Sequence, residues 1–317
     1  MKMNENTKNI LVTGAAGFIG SHLVKKLIKN SYKVKAIDIN LPEITRAIIE
    51  DQPSAVTNNF QFIEGDIEDA SFMKNVTRDI DHVIHLAAKV FVPDSWKYPN
   101  EFYRTNVVGT ANVLEACRLN KCGVTFNSSY VYGTPEYLPI DEKHPLKSYN
   151  PYSHSKLLAE EICKFYGKNY DLKVTVFRPF NVYGAGQKKM FLIPEIIGQV
   201  LSDNRNTVEV NDLIPKRDYL YIDDLISAFI LSFDSPHGIF NIGSGTSFSV
   251  EEIINIVMKI SGIDKPYSSK NNRRENEIDD VVADNSKACK ELNWQVNTSI
   301  NDGIAFCIDE YRRKLKQ

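Results

Sequence analysis

One stretch near the start of the chain decides the fold: Ile10-Leu11-Val12-Thr13-Gly14-Ala15-Ala16-Gly17-Phe18-Ile19-Gly20. Its first three residues form an apolar run typical of a buried strand. The three glycines then predict a turn, and the spacing of Ile19, Leu23, Leu27 and Ile28 predicts a helix with one apolar face. Free N–H groups at the start of that helix would bind an anion such as phosphate. The stretch therefore predicts a strand, a glycine-rich turn and a helix that together form an anion site.

A second apolar strand, at 34–37, follows this helix and ends at Asp38. In dinucleotide-binding βαβ units an acidic residue lies about 20 residues beyond the glycines and binds the adenosine ribose. A carboxylate there repels a 2′-phosphate, so we predict NAD rather than NADP as the cofactor. The glycine spacing is G-x-x-G-x-x-G, and without Asp38 it would indicate only a generic strand–turn–helix unit.

Composition excludes several classes of partner. The 317 residues are enough for two lobes, and the net charge of -2, without a basic tail, argues against nucleic acid or an acidic membrane surface. We find no apolar run long enough to span a membrane. The five cysteines are scattered and form no C-x-x-C pair, so we predict no metal site and reduced thiols in the cytoplasm. Residues 1–8 are polar and lack a signal-peptide core, which agrees with that location.

Strand and helix patterns alternate along the first 180 residues. Strands are predicted at 60–63, 81–86, 123–128 and 174–177, and helices at 69–76, 101–119 and 151–170, with a short helix within 41–59. Repeated βα units predict an α/β fold with a Rossmann-type, doubly wound parallel sheet. Ligands of such sheets bind beyond the carboxyl ends of the strands.

The pattern changes after about residue 180, where segments shorten and proline recurs. Helical spacing persists at 190–210, 250–261 and 298–315. We predict an NAD-binding domain over 1–180 and a smaller C-terminal α/β substrate-binding lobe over 181–317, with 219–241 packing back on the first domain.

Tyr152 and Lys156 lie four residues apart near the start of the helix at 151–170, so they share a helix face. The ordinary pKa of a tyrosine hydroxyl is about 10, too high for a base at neutral pH. A lysine ammonium and an oxidised nicotinamide would both favour the phenolate, which could exchange a proton with a sugar hydroxyl during hydride transfer. Alone, Y-x-x-x-K indicates only an amphipathic helix. Hydroxyls in Asn127-Ser128-Ser129-Tyr130-Val131-Tyr132-Gly133, after the preceding strand, could bond the same oxygen.

With these motifs the chain resembles the extended short-chain dehydrogenases/reductases, the family of nucleotide-sugar epimerases, dehydratases and ketoreductases. The resemblance runs from about Asn9 to Tyr311. Besides the stretches above, it includes Gly65-Asp66-Ile67, His85-Leu86-Ala87-Ala88, Asn106-Val107-Val108-Gly109-Thr110, Arg178-Pro179-Phe180-Asn181-Val182-Tyr183-Gly184, Arg217-Asp218-Tyr219, Asn241-Ile242-Gly243 and Ala283-Asp284-Asn285-Ser286-Lys287.

This resemblance implies roles for individual residues. It makes Ser128, Tyr152 and Lys156 catalytic. It implies a cofactor site of Gly14, Gly17, Phe18, Ile19, Asp38, Asp66, Ile67, Leu86, Ala87, Ala88, Asn106, Tyr152 and Lys156. It implies substrate binding by Ser128, Ser129, Asn181, Arg217 and Arg274. The guanidinium groups of Arg217 and Arg274 would clamp a nucleotide diphosphate, and the alternative for each is a surface salt bridge.

The reaction within this family is narrowed by departures from its patterns. Dehydratases of the family carry an acidic residue directly after the catalytic Ser or Thr, but Ser129 and Tyr130 stand here, so 4,6-dehydration is not expected. We favour an NAD-dependent C4 epimerase, which regenerates its own cofactor. The alternative is a 4-keto-6-deoxy-sugar C4 reductase that consumes NADH or NADPH.

Two further points stay open at the level of sequence. The stretch 210–218 lacks the glycine-rich D-G-x-x-x-R-D of many UDP-hexose epimerases, so the nucleotide and the sugar are undecided. A non-enzymatic dinucleotide-binding protein is disfavoured, because the serine, tyrosine and lysine are all present. The resemblance also implies polysaccharide biosynthesis and a homodimer formed through the helices at 101–119 and 151–170.

Overall fold

The computed structural model describes residues 8–40, 59–272 and 277–315, and its centre is a parallel sheet. Seven strands form this sheet: β1 Asn9–Thr13, β2 Lys33–Asp38, β3 Phe60–Glu64, β4 His82–His85, β5 Gly123–Asn127, β6 Val174–Pro179 and β10 Gly238–Ile242. All pairings are parallel, in the order β10-β6-β5-β4-β1-β2-β3. The order reverses between β1 and β4, and ligands of such sheets bind outside this point. The predicted Rossmann-type, doubly wound α/β fold is confirmed.

Helices cover both faces of the sheet. They are α1 Phe18–Lys29, α2 Ala70–Val76, α3 Val92–Lys97, α4 Pro99–Tyr103, α5 Thr110–Asn120, α6 Pro151–Asn169, α7 Leu192–Val200, α8 Ile222–Leu231, α9 Val250–Ser261, α10 Ser286–Glu291 and α11 Ile300–Leu315. Successive side chains of β1 enter different cores, with Ile10 and Val12 on the α1 side and Leu11 on the α5 side. The strand is apolar throughout because both of its faces are buried.

The single helix predicted at 101–119 is interrupted. A π-helical turn over Arg104–Gly109 separates α4 from α5. Such turns insert an extra residue and recur at functional sites, and period counting cannot detect them. Here the turn carries Asn106, and it brings Gly109 so close to the loop after β3 that a Cβ on Gly109 would lie 2.5 Å from Ile67 Cδ1. A short helix was predicted within 41–59, and residues 41–58 of that range lie outside the described residues.

Two small sheets lie beyond β6. One contains β7 Asn181–Tyr183, β9 Lys216–Tyr221 and β11 Ser247–Ser249; the other pairs β8 Val208–Val210 with β12 Tyr267–Ser269. The helix predicted at 190–210 was therefore wrong beyond Val200, where α7 ends. The segment 219–241 returns to the large sheet, because α8 packs on α1 and β10 pairs with β6. The domain boundary at 180 stays a prediction.

Candidate active site

The glycine-rich turn joins β1 to α1 at the point where the strand order reverses. Gly14 has φ of +68°, and a Cβ there would lie 2.6 Å from the backbone nitrogen of Ala87, so only glycine allows this approach. Gly17 begins α1 without a side-chain hydrogen bond to its first turn. The N–H groups of that turn are thus suited to an anionic ligand, as the sequence predicted.

Asp38 ends β2 beside this turn. Its carboxylate accepts hydrogen bonds from the backbone N–H groups of Ala16, at 2.9 Å, and Ile39, at 2.8 Å. The carboxylate is therefore held next to the phosphate-binding end of α1. This is the position that a ribose-binding acidic residue requires, and it supports the prediction of NAD over NADP.

The other predicted cofactor residues follow neighbouring strand ends. Asp66 and Ile67 follow β3, where Asp66 accepts the N–H of Glu68 at 2.9 Å. The segment from Leu86 to Ala88 follows β4. Phe18 and Ile19, the first residues of α1, pack partly buried against the core. The fold thus brings these residues to one edge of the sheet, while their contacts to a cofactor stay predictions.

Asn106 is buried and fully bonded within the protein. Its side-chain NH₂ donates to Lys89 O at 3.0 Å and to Ser155 Oγ at 2.8 Å, while its oxygen accepts from Lys89 N at 2.8 Å. It therefore ties the segment after β4 to α6. A direct cofactor contact by Asn106 stays a prediction.

Tyr152 lies in the first turn of α6, which begins with a capping box. Asn150 Oδ1 accepts from Ser153 N at 2.8 Å, and Ser153 Oγ accepts from Asn150 N at 3.3 Å. The Tyr152 hydroxyl is buried and lies 2.6 Å from Ser129 Oγ. Burial raises the pKa of Tyr152 to about 12, although the hydrogen bond with Ser129 acts in the opposite direction.

Lys156 follows Tyr152 by one helical turn and is also buried. Its Nζ lies 4.2 Å from the centre of the Phe126 ring, and burial lowers its pKa to about 8. In the chain without cofactor the pKa of Tyr152 is raised and not lowered, because burial removes water from the hydroxyl. The lowering of that pKa by Lys156 and an oxidised nicotinamide together stays a prediction. An oxidised nicotinamide ring would add a second positive charge beside Tyr152.

Ser128 directly follows β5 and has a buried hydroxyl. Its backbone N–H donates to Phe177 O at 2.7 Å, but its Oγ has no hydrogen-bond partner among the described residues. Asn127 Oδ1, one residue earlier, is also buried without a hydrogen-bond partner among the described residues. Asn127 was not predicted as a site residue. A buried polar atom without a partner costs about 1–3 kcal/mol, so a ligand oxygen or N–H is its natural partner.

Tyr130 lies beside the predicted catalytic Tyr152, although the sequence did not assign it a role. Its φ is +59°, unusual for a bulky side chain, and its exposed ring packs edge-on against Tyr152 with centroids 6.2 Å apart. Burial raises the pKa of Tyr219 and of Tyr152, and Tyr130 adds to the rise at both. Residues held in such a backbone conformation cluster at active sites.

Two of the substrate residues predicted beyond β6, Asn181 and Arg217, lie on the small sheet of β7, β9 and β11. Asn181 in β7 pairs with Tyr219 in β9. The guanidinium of Arg217, also in β9, forms an ion pair with Glu277 and donates to Ile278 O at 2.7 Å. The salt-bridge alternative thus describes Arg217 in this structure, and its diphosphate contact stays a prediction. Arg274 lies outside the described residues.

The described part of the chain carries neither a metal-ligand cluster nor a membrane-spanning helix. We find no group of three or more histidine, cysteine, aspartate or glutamate residues arranged to hold a metal ion. None of the helices in 8–40, 59–272 and 277–315 combines the length and apolarity needed to cross a membrane.

This geometry is that of a dinucleotide-dependent short-chain dehydrogenase/reductase, and comparison with known proteins narrows the class. The model of the family described as "GDP-mannose 4,6 dehydratase" matches residues 11–306. The chain belongs to this family, a group of NAD-dependent nucleotide-sugar epimerases and dehydratases within the extended short-chain dehydrogenases/reductases.

Individual relatives are similar over nearly the whole chain. The UDP-glucose 4-epimerase of Lactobacillus helveticus is 35% identical, over 93% of this chain and 94% of its own. A UDP-N-acetylglucosamine 4-epimerase of Methanobrevibacter ruminantium M1, solved with UDP-N-acetylmuramic acid, is 27% identical with a TM-score of 0.87, covering 98% and 99% of the two chains. A variant of the UDP-glucuronic acid 4-epimerase of Bacillus cereus, solved with NAD and UDP-4-deoxy-4-fluoro-glucuronic acid, is 31% identical with a TM-score of 0.85, covering 96% and 99%.

Proposed function

We propose that this protein is an NAD-dependent nucleotide-sugar C4 epimerase. The observation that carries the proposal is the hydrogen bond between the half-buried Ser129 hydroxyl and the buried Tyr152 hydroxyl, next in sequence to Ser128, whose buried Oγ has no partner among the described residues. These groups lie at the sheet edge that also carries the glycine-rich turn. Relatives and structural neighbours named as 4-epimerases support the same reaction.

The residues fit a dinucleotide cofactor. The uncapped start of α1 after Gly17 would bind the diphosphate, and Asp38 would bind the adenosine ribose. Ala87 and Ala88 are small enough to let the cofactor approach the end of β4. Bound NAD supplies a reversible hydride acceptor. Structural neighbours solved with NAD support this cofactor.

The chain's own part in the reaction is proton transfer and orientation. Tyr152 accepts the proton of the C4 hydroxyl as C4 becomes a ketone and returns it after the sugar has turned over. Ser128 Oγ, which has no protein partner, hydrogen-bonds the same C4 oxygen. The hydride leaves one face of C4 and returns to the other, so the sugar undergoes no net oxidation.

Elimination of water would need a further acid–base group at the site. The two residues that follow Ser128 are Ser129 and Tyr130, and Ser129 already bonds Tyr152. This arrangement favours epimerisation over 4,6-dehydration, although the matching family model is named after a dehydratase.

UDP-sugars are the substrates to which the named relatives point, and UDP-glucose is the first to test. We expect purified protein to interconvert UDP-glucose and UDP-galactose without added reductant, as measured by chromatography or NMR. Tyr152→Phe should lower kcat by about 10²–10⁴-fold while NAD still binds. Tyr149→Phe, a change at an exposed tyrosine three residues earlier, is the matched control.

The outcomes separate the candidate reactions. Turnover of a 4-keto-6-deoxy sugar that depends strictly on NADH or NADPH would instead identify a ketoreductase. Parallel reactions with GDP- and dTDP-linked sugars determine the nucleotide. Full activity of Tyr152→Phe would overturn the proposed chemistry.

We propose a homodimer formed through α5 and α6. Leu158 and Phe165 lie seven residues apart on α6 and are 36% and 55% exposed, and Leu119 on α5 is 44% exposed. Such an apolar helix face suits a second copy of the chain. Phe165→Glu should give a monomer in sedimentation experiments, whereas Phe306→Glu, at a similarly exposed phenylalanine on α11, should not.

We propose a cytoplasmic location and a role in polysaccharide biosynthesis. All five cysteines are free thiols, and Cys117, Cys122, Cys163 and Cys307 are buried. Free thiols suit a reducing compartment. Fractionation of the producing cells tests the location.

A further inference from the structure

His85, at the carboxyl end of β4, forms the middle of a buried hydrogen-bond chain. Its Nδ1 lies 2.8 Å from Thr13 Oγ1, and its Nε2 lies 3.0 Å from Thr110 Oγ1. The three side chains are at most 1% exposed. They join the end of β1, the end of β4 and the start of α5.

The protons in this chain have only one consistent arrangement. Thr110 Oγ1 donates to the Asn106 carbonyl at 2.6 Å, so it must accept from His85, and Nε2 carries the proton. Burial lowers the pKa of His85 to about 3, with the Lys156 charge acting in the same direction, so the ring is neutral. Nδ1 is therefore an acceptor, and Thr13 Oγ1 donates to it.

Both ends of the chain continue into the candidate active site. At one end, Thr13 Oγ1 accepts the N–H of Ala87 at 3.2 Å, in the segment that packs against Gly14. At the other end, the Asn106 side chain bonds Lys89 and Ser155, and Ser155 Oγ donates to Tyr152 O at 2.7 Å. One hydrogen-bond path thus runs from the glycine-rich turn to the first turn of α6.

We propose that His85, as the neutral Nε2–H tautomer, is a positioning residue that fixes the segment 86–89 and the π-helical turn relative to the catalytic helix. It touches neither cofactor nor substrate in this scheme. It holds the segment 86–89, which is predicted to contact the cofactor, and Tyr152 at the separation that hydride and proton transfer require. The kinetic part of the inference rests on the proposed epimerase function; the cofactor-affinity part does not.

His82 provides a matched control within the same strand. Its Nε2 lies 2.7 Å from Thr125 Oγ1, which in turn lies 2.7 Å from Ser232 Oγ, and burial lowers its pKa to about 3 as well. It lies at the amino end of β4, away from the candidate site. His82→Phe and His85→Phe therefore each remove a buried, hydrogen-bonded imidazole, from opposite ends of one strand.

The experiment compares these two variants with the unaltered protein. For His85→Phe we expect the Kd for NAD, measured by calorimetry on cofactor-free protein, to rise about tenfold. We expect its kcat to fall by about 10–100-fold, because a displacement of 1 Å in a site can cost about 100-fold. The KM for the nucleotide sugar should stay within about twofold. For His82→Phe the Kd for NAD and kcat should each stay within about twofold of the values for the unaltered protein. The unfolding free energy should fall in both phenylalanine variants.

Milder variants keep the test valid if a histidine variant does not fold. Thr110→Val should weaken NAD binding in the same direction, and Thr125→Val should not. Selective ¹⁵N labelling should show an Nε2–H histidine that does not titrate between pH 5 and 9 and that disappears in the His85 variant.

Three results would overturn the inference: an Nδ1–H or cationic His85, equal NAD affinities in the two phenylalanine variants, or unchanged NAD binding in Thr110→Val. A protein that binds NAD as expected but turns over no nucleotide sugar would overturn the proposed function and leave the affinity test intact.

Discussion

Ser129 and Tyr152 share a hydrogen bond of 2.6 Å, whereas the Ser128 hydroxyl one residue earlier is buried without a partner among the described residues. The two adjacent serines therefore have different roles. Ser129 sets the state of the Tyr152 hydroxyl before substrate arrives, and Ser128 is available to the substrate itself.

We expect Ser128→Ala and Ser129→Ala to differ in their pH profiles. The hydrogen bond with Ser129 lowers the pKa of Tyr152, so its removal should raise that pKa further and move the acidic limb of kcat/KM to higher pH. Ser128→Ala should lower kcat at every pH without moving the limb. Identical profiles for the two variants would contradict this division.

Lys156→Met should stabilise the protein and abolish its activity. Burial lowers the pKa of Lys156 from about 10.5 to about 8, so the unfolded chain binds more protons across that interval. The stability of the unaltered protein therefore rises with pH between about 8 and 10.5, and at pH 7 the buried ammonium costs about 3 kcal/mol. Urea unfolding should show a gain of up to about 3 kcal/mol at pH 7 that shrinks towards pH 10.5.

Lys168→Met, at an exposed position of the same helix, is the control and should change the unfolding free energy by less than about 0.5 kcal/mol. A Lys156 variant less stable than the unaltered protein at pH 7 would contradict the assignment of that pKa.

Asp38→Asn should reduce the preference for NAD over NADP. The amide oxygen can still accept the Ala16 N–H, but the negative charge that repels a 2′-phosphate is gone. We expect the ratio of the two Kd values to change by about tenfold, equivalent to about 1.4 kcal/mol. Calorimetry with both cofactors measures it, and Asp69→Asn, at the cap of α2, is the control. An unchanged ratio would show that Asp38 does not face the ribose.

Glu160→Gln should destabilise the protein strongly. Glu160 and Arg178 form an ion pair whose side chains are at most 3% exposed, joining α6 to β6. Removing one buried partner leaves the other charge uncompensated and costs about 3–5 kcal/mol. Glu161→Gln affects only an exposed pair with Lys164 and should cost less than about 1 kcal/mol. Urea unfolding that finds equal losses would mean that water reaches the Arg178 pair.

Local patterns were sufficient for the parts of the fold that they encode. The first βαβ unit depends on an apolar strand, closely spaced glycines and one acidic residue, all within 38 residues. The helix that carries Tyr152 begins at its own capping box. Such local features can be predicted from the sequence because the residues that form them lie close together in the chain.

Other features depend on partners that are distant in sequence. β8 has three residues and is stabilised by β12, almost 60 positions later, and Arg217 meets Glu277 at a similar separation. The raised pKa of Tyr152 results from burial by several elements, which helix spacing does not measure. Which of two adjacent serines meets Tyr152 depends on the backbone path after β5.

The entry of β10 into the large sheet ties the two halves of the chain together. A fragment ending at residue 180 would leave β6 as a bare edge, with its hydrogen-bonding groups open to aggregation. The nucleotide-binding half therefore does not form a complete folding unit by itself. Fusions or split-protein designs based on this chain should keep 1–242 continuous.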